Sequence, residues 1–264
     1  MFWPATLALS AAALIGVVAL AAATGGPVLK AIPVANPVLK RVVLGIQPAT
    51  LAVVFAAVGS GVAAGAGSKS IIADWAAGAP IAEGAFAGFL PALFFGIAGG
   101  FLLFGADRLT RPLWSPERDG PDAVAEWQPG SLVAGVFYGG ITEEVMMRWG
   151  IMGLFLWILV SLFGTPGDPG TIAVIVAVLL SALVFAAGHL PAAFAMGRPT
   201  RGFVVRTLAL NTIAGIAFGW LFWAWNLETA MVAHAAFHVG AAGFVLLMRA
   251  TGPPNPKEPP EHGS

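Results

Sequence analysis

The sequence contains no cysteine, which excludes disulfides, thiolate metal sites and a cysteine nucleophile while leaving the compartment open. Charge is scarce too: 10% of the 264 residues are Asp, Glu, Lys or Arg, against about 25% in an ordinary globular chain. Set beside 58% hydrophobic residues and a mean hydropathy of +0.86, this scarcity excludes a soluble enzyme and a disordered chain. The 13 basic and 13 acidic residues cancel to a net charge of 0, so no basic field exists to hold a nucleic acid. The 34 Gly and 20 Pro are tolerated in membrane helices, where neighbouring elements satisfy the freed backbone groups. Composition therefore points to an all-α, polytopic transmembrane helical bundle whose first partner is the lipid bilayer.

A helix needs about 20 apolar residues to cross a hydrocarbon core of roughly 30 Å. Seven runs qualify: 2–24, 42–67, 85–106, 131–164, 171–190, 207–225 and 229–248. The first lacks a basic leader and exceeds the ~7–15 residues of a signal-peptide core, so it reads as a retained span. The fourth is long for one crossing and predicts a tilted or broken helix. The chain divides into N-terminal spans with a polar loop (1–130), a core carrying intramembrane charge (131–250) and a Pro/Lys/Glu-rich tail expected to be disordered (251–264).

Only Glu143, Glu144 and Arg148 place charge inside these runs, at a cost of at least ~2.5–3.5 kcal/mol each. Glu144 and Arg148 are four apart with the acid first, the favourable order for a pair on one helix face. Glu143 has no sequence-local cation and must be protonated, hydrated or partnered by another helix, which is the environment of a tuned general base. The bland alternative is that all three merely lock helices together. His189 ends the fifth run, while His234 and His238 share a face of the seventh at i and i+4; His262 lies in the tail. Each histidine alone could be an interhelical hydrogen-bonding group. The i,i+4 pair could also ligate a divalent metal together with Glu143 and His189, but no HExxH helix makes this specific, and the sequence requires no cofactor. Thr142, Ser181, Thr207 and Asn211 are ordinary interhelical bonding candidates, and Trp3, Trp114, Trp127 and Trp225 are interfacial anchors.

At these residues the sequence resembles the CPBP family, the CAAX-protease and bacteriocin-processing intramembrane endopeptidases also called Abi proteins. Glu143-Glu144-Val145-Met146-Met147-Arg148 reads as its EExxxR motif. Phe185-Ala186-Ala187-Gly188-His189 reads as FxxxH, and His234-Ala235-Ala236-Phe237-His238 as the HxxxN-type element with His in the last place. Three motifs in order on three successive hydrophobic segments make the likeness specific over residues 131–248. The resemblance implies that Glu143 is a general base acting on water, that His189 helps hold that water, and that His234 stabilises the oxyanion. His238 stands where the family usually has Asn, and Glu144 with Arg148 forms the supporting pair. It also implies a membrane peptide or lipoprotein substrate and a bacterial inner (plasma) membrane location.

Three functions compete: an intramembrane endopeptidase, a non-catalytic scaffold or accessory subunit retaining the polar cluster, and an ion-coupled transporter. No repeated half or paired interrupted helix supports the last. The catalytic reading carries a geometric condition. As drawn, His189 falls at one end of its run and His234 near the opposite face of the membrane, so the fifth run must continue past Leu190 or the seventh must begin earlier. Substrate identity and oligomeric state are not legible.

Positive residues stay cytoplasmic. Lys30, Lys40, Arg41, Arg108, Arg111, Arg118, Arg198, Arg201, Arg206, Arg249 and Lys257 fall on one side and Lys69 on the other when residues 131–164 cross once. The C-terminus is thus expected in the cytoplasm and the N-terminus outside. Single cysteines introduced at positions 120 and 200 of this cysteine-free chain should label from the same, cytoplasmic side; labelling from opposite faces would mean a miscounted crossing.

Overall fold

The computed structural model describes residues 2–114, 124, 127–191, 194 and 200–251. The tail from 252, with Lys257 and His262, lies outside these residues, as do Arg118 and Arg198. Among the described residues there are nine helices and no strand. They are α1 (Phe2–Ala23), α2 (Gly26–Ala31), α3 (Pro37–Ala66), α4 (Ile71–Ala76), α5 (Phe89–Trp114), α6 (Pro129–Phe163), α7 (Gly170–Gly188), α8 (Arg201–Ala224) and α9 (Leu227–Thr251). Seven of them, all but α2 and α4, are long and apolar enough to cross a membrane, so the fold is a polytopic helical membrane bundle.

Local chemistry sets the helix ends. Asn36 caps α3 by accepting from the Val38 and Leu39 amides, with Pro37 at the first helical position. The helix stops at Gly67, whose φ of +71° is the left-handed conformation glycine adopts without strain. The Thr200 hydroxyl accepts from the Phe203 amide and starts α8.

The 35-residue α6 is the single long crossing that residues 131–164 predict, and it is the centre of the bundle. Of its most apolar window 56% is buried, against 17% for α3 and α5. α1, α3, α7 and α9 all pack on it, so the N-terminal spans wrap the segment that carries the intramembrane charge. α5 packs along α9 at backbone range: a Cβ on Gly96 or Gly100 would run into the carbonyl oxygens of Ala233 or Phe237. Small residues allow this approach where no hydrophobic effect drives helix association in lipid. Large apolar side chains such as Leu109 and Phe163 cover the outside, as lipid contact requires. Of the four polar residues expected to bond between helices, only Thr142 does so, donating to the Ala13 carbonyl of α1 at 2.7 Å. Ser181, Thr207 and Asn211 donate back into their own helices, since a backbone carbonyl three or four residues earlier is always within reach.

The start of α9 is covered by the protein itself. Leu227, Glu228, Thr229 and Ala230 are all buried, covered by the turn leading into α4. Glu228 accepts from the Ser70 hydroxyl at 2.6 Å and from the amides of Ile71 and Ile72 at 2.9 and 3.0 Å, which satisfies orphan donors at the α4 N-terminus. Asn226 caps α9 through the Thr229 amide and ties it to the Ala85 carbonyl. Glu228 lay just outside the seventh run as drawn, so its burial was not visible in the sequence. Replacing it, Glu228→Ala, strands three donors and should cost roughly 3 kcal/mol, read as a lowered Tm in detergent; an unchanged Tm would mean that α4 is not clamped to α9.

Candidate active site

From Gly135 to Met152, α6 winds mostly with wide π-helical turns, interrupted only at Glu144. Such turns are uncommon and recur at functional sites. Successive helical residues point about 100° apart, so adjacent Glu143 and Glu144 meet different surroundings. Glu144 is completely buried: its Oε2 lies 3.2 Å from Arg148 Nε, and its Oε1 accepts from His234 Nδ1 at 2.7 Å. The pairing with Arg148 matches the four-residue spacing. The bond to His234 on α9 is a second role that the sequence did not show, because it joins residues ninety positions apart. Arg148 is also fully buried and lies over the Phe185 ring at 5.1 Å. Its two Nη groups have no hydrogen-bond partner among the described residues, so Glu144 and the Phe185 face are what offset its charge.

Glu143 differs. Its side chain keeps 18% of its surface and makes no hydrogen bond among the described residues, and its Oε2 stands 4.0 Å from His234 Nε2. The imidazole of His234 is thus held between the two carboxylates, one on each ring nitrogen. It is also sandwiched: Phe218 of α8 stacks on one side at 4.3 Å and His238 on the other at 5.1 Å, each within 19° of parallel. Both rings lie against the α6 backbone at Gly139, where a Cβ would be 2.7 Å from His238 Nε2 and 3.3 Å from His234 Nε2. The absent side chain is what lets them approach.

His189 caps the end of α7. Its Nδ1 lies 2.8 Å from the Phe185 carbonyl; a carbonyl can only accept, so Nδ1 carries the proton and Nε2 of the neutral ring is an acceptor. His189 joins the group through Phe185, whose ring is 4.6 Å from His189 and 5.9 Å from His234. α9 begins at Leu227, two residues before the run as drawn, and its packing on α6 brings His234 Nδ1 within 2.7 Å of Glu144 Oε1. Continuation of the fifth run towards Met196 falls largely outside the described residues. Among the described residues no group of three His, Asp or Glu is arranged to hold a metal ion.

Residues 125–240 match the family model described as Rce1-like, type II CAAX prenyl endopeptidase. The matched segment runs from the start of α6 into α9 and contains all six residues named above. No curated protein and no solved structure matches the chain.

Removing one partner of a buried pair leaves a charge uncompensated, at roughly 3–5 kcal/mol. Glu144→Gln should therefore damage folding before chemistry: reduced yield from the membrane and a clearly lowered Tm. A Glu144→Gln protein as stable as the parent would show that Arg148 finds its counter-charge elsewhere.

Proposed function

Because residues 125–240 belong to the Rce1-like branch of the CAAX protease family, we propose that the chain is an intramembrane endopeptidase. In this reading Glu143 activates water against a peptide bond of a prenylated or otherwise lipid-modified substrate. The observation that carries the reading is the contrast between neighbours. Glu144 is sealed and fully engaged, whereas Glu143 is partly open and uncommitted beside an imidazole nitrogen. A helix lock would bury both; a general base needs one carboxylate that water can reach.

The chemistry follows from which atoms are free. Glu143 Oε2 takes a proton from water as the water oxygen bonds to the substrate carbonyl carbon. His189, with Nδ1 committed to Phe185, offers Nε2 as an acceptor that orients the same water. The carbonyl oxygen gains negative charge and needs donors aimed at it. His234 donates its Nδ1–H to Glu144, so Nε2 is a donor only when the ring carries both protons. His238, stacked on His234, is the second donor in the place where the family usually has Asn. Collapse of the intermediate breaks the C–N bond, and the proton held by Glu143 goes to the departing amine. No covalent enzyme intermediate is needed.

The scaffold alternative predicts that Glu143 is dispensable for activity and needed for stability. Glu143→Gln keeps the size and removes the basic oxygen, so cleavage of a farnesylated CAAX peptide in proteoliposomes should drop by about 10²–10⁴-fold with Tm nearly unchanged. Full activity in this variant would remove Glu143 from the base role, and unfolding comparable to Glu144→Gln would favour the scaffold.

A further inference from the structure

α8 supplies none of the six residues of the polar cluster, yet one of its side chains meets that cluster face to face. Phe218, 2% exposed, stacks on the His234 imidazole at 4.3 Å and 19°, and His234 stacks in turn on His238 at 5.1 Å and 19°. The three rings form one parallel pile running from α8 into α9. Phe237 stands edge-on to both ends of it, 5.9 Å from Phe218 at 87° and 5.8 Å from His238 at 88°. Phe218 and Phe237 thus make an aromatic layer against the two imidazoles. Aromatic pairs settle edge-on as readily as stacked, and Phe185 meets both His189 and His234 edge-on. Among the described residues Phe218 is the one phenylalanine that offers an imidazole its face.

Resting on the endopeptidase reading, we propose that Phe218 is a positioning residue for the reaction: its ring plane sets the direction of His234 Nε2. The ring torsion of a histidine is intrinsically broad, and a hydrogen bond weakens steeply only below about 120°. The bond from Nδ1 to Glu144 at 2.7 Å therefore fixes one corner of the imidazole and leaves its tilt soft. Tilt moves the opposite corner, Nε2, which is the atom that must point at the developing oxyanion. A flat, buried face laid against the imidazole removes that freedom, because any tilt drives one ring edge into the other. Phe218 is itself held in two ways. Its helix is seated on α7 at backbone range, where a Cβ on Gly215, three residues before it, would stand 2.9 Å from Ala182 Cα, and its ring is propped by the edge contact with Phe237. The same plane passes on to His238, so one contact sets both imidazoles parallel. An aliphatic side chain would bury the site equally well and define no plane.

Phe218→Leu and Phe218→Met keep an apolar side chain and remove the plane. In proteoliposomes with a farnesylated CAAX peptide, kcat per folded protein should fall by about 10–10²-fold, the upper figure being what a misplacement of about 1 Å can cost, with KM within about twofold. Phe218→Tyr keeps the ring and should hold kcat within about threefold. Phe222→Leu removes an equally buried phenylalanine one turn along α8; it should lower Tm as Phe218→Leu does while kcat stays within about twofold. A measurement independent of variant folding uses the wild-type protein labelled with ¹³C at histidine Cε1, of which the chain has four. The His234 ring should show an order parameter near the ~0.85 of rigid backbone, and it should drop in Phe218→Leu. A His234 ring already mobile in the wild type, with an order parameter below about 0.6, would overturn the positioning role. So would a Phe218→Leu protein of unchanged kcat, one whose loss lies all in KM, or a Phe218→Tyr protein as impaired as Phe218→Leu. Each of these leaves the protease reading intact. A wild-type protein that cleaves no CAAX peptide, or a Glu143→Gln variant of full activity, strikes at that reading instead, and the ring measurement still decides whether Phe218 holds His234.

Discussion

Everything around the site depends on keeping the fully buried Arg148 guanidinium compensated inside a bilayer-spanning helix. An unpaired cation at that depth would not be retained, so Glu144 lies 3.2 Å from it and Phe185 lies under the guanidinium. These demands fix α6 against α7. Because the second oxygen of Glu144 is bonded to His234, they fix α9 against α6 as well. One buried pair thereby sets the mutual register of three helices, and the imidazole is oriented as a consequence of neutralising the arginine.

The wide turns of α6 and the covered start of α9 are the two departures from a plain bundle, and they act together. The wide turns flank the step from Glu143 to Glu144, the two carboxylates that face different surroundings. The packing of α9 on α6 brings His234 against Glu144, and Glu228 and Asn226 anchor the start of α9 through α4 and the Ala85 carbonyl. Without that clamp, α9 could slide along the small-residue seam it shares with α5, since Gly96 and Gly100 present no knobs against sliding. A polar anchor at the far end does the positioning that shape alone would not.

The division of labour between two adjacent carboxylates follows a general pattern: environment, and not residue type, decides which acid is structural and which is reactive. Here the sealed one faces a cation and the open one faces an imidazole nitrogen. The aromatic layer of Phe218 and Phe237 lies on the other side of the same histidines. It gives the site an apolar neighbour on its lipid side and a polar interior towards Glu143.

The sequence by itself determined the membrane class, the seven helices long and apolar enough to cross, the long fourth of these and the identity of the polar residues within it. These follow from composition and from run length against bilayer thickness, quantities that need no knowledge of which helix touches which. The Glu144–Arg148 pair was also legible, because a four-residue spacing is local to one helix. The bond from Glu144 to His234, the stacking of Phe218 and the burial of Glu228 were not, since each joins residues far apart in the chain. Three of the four expected interhelical hydrogen bonds turned inward for the same reason: a hydroxyl or amide always has its own helix to bond, and only the approach of a neighbour decides otherwise. Where α9 begins, and that its first turn is covered by the segment leading into α4, depends on the packing of elements distant in sequence, and only the tertiary structure decides it.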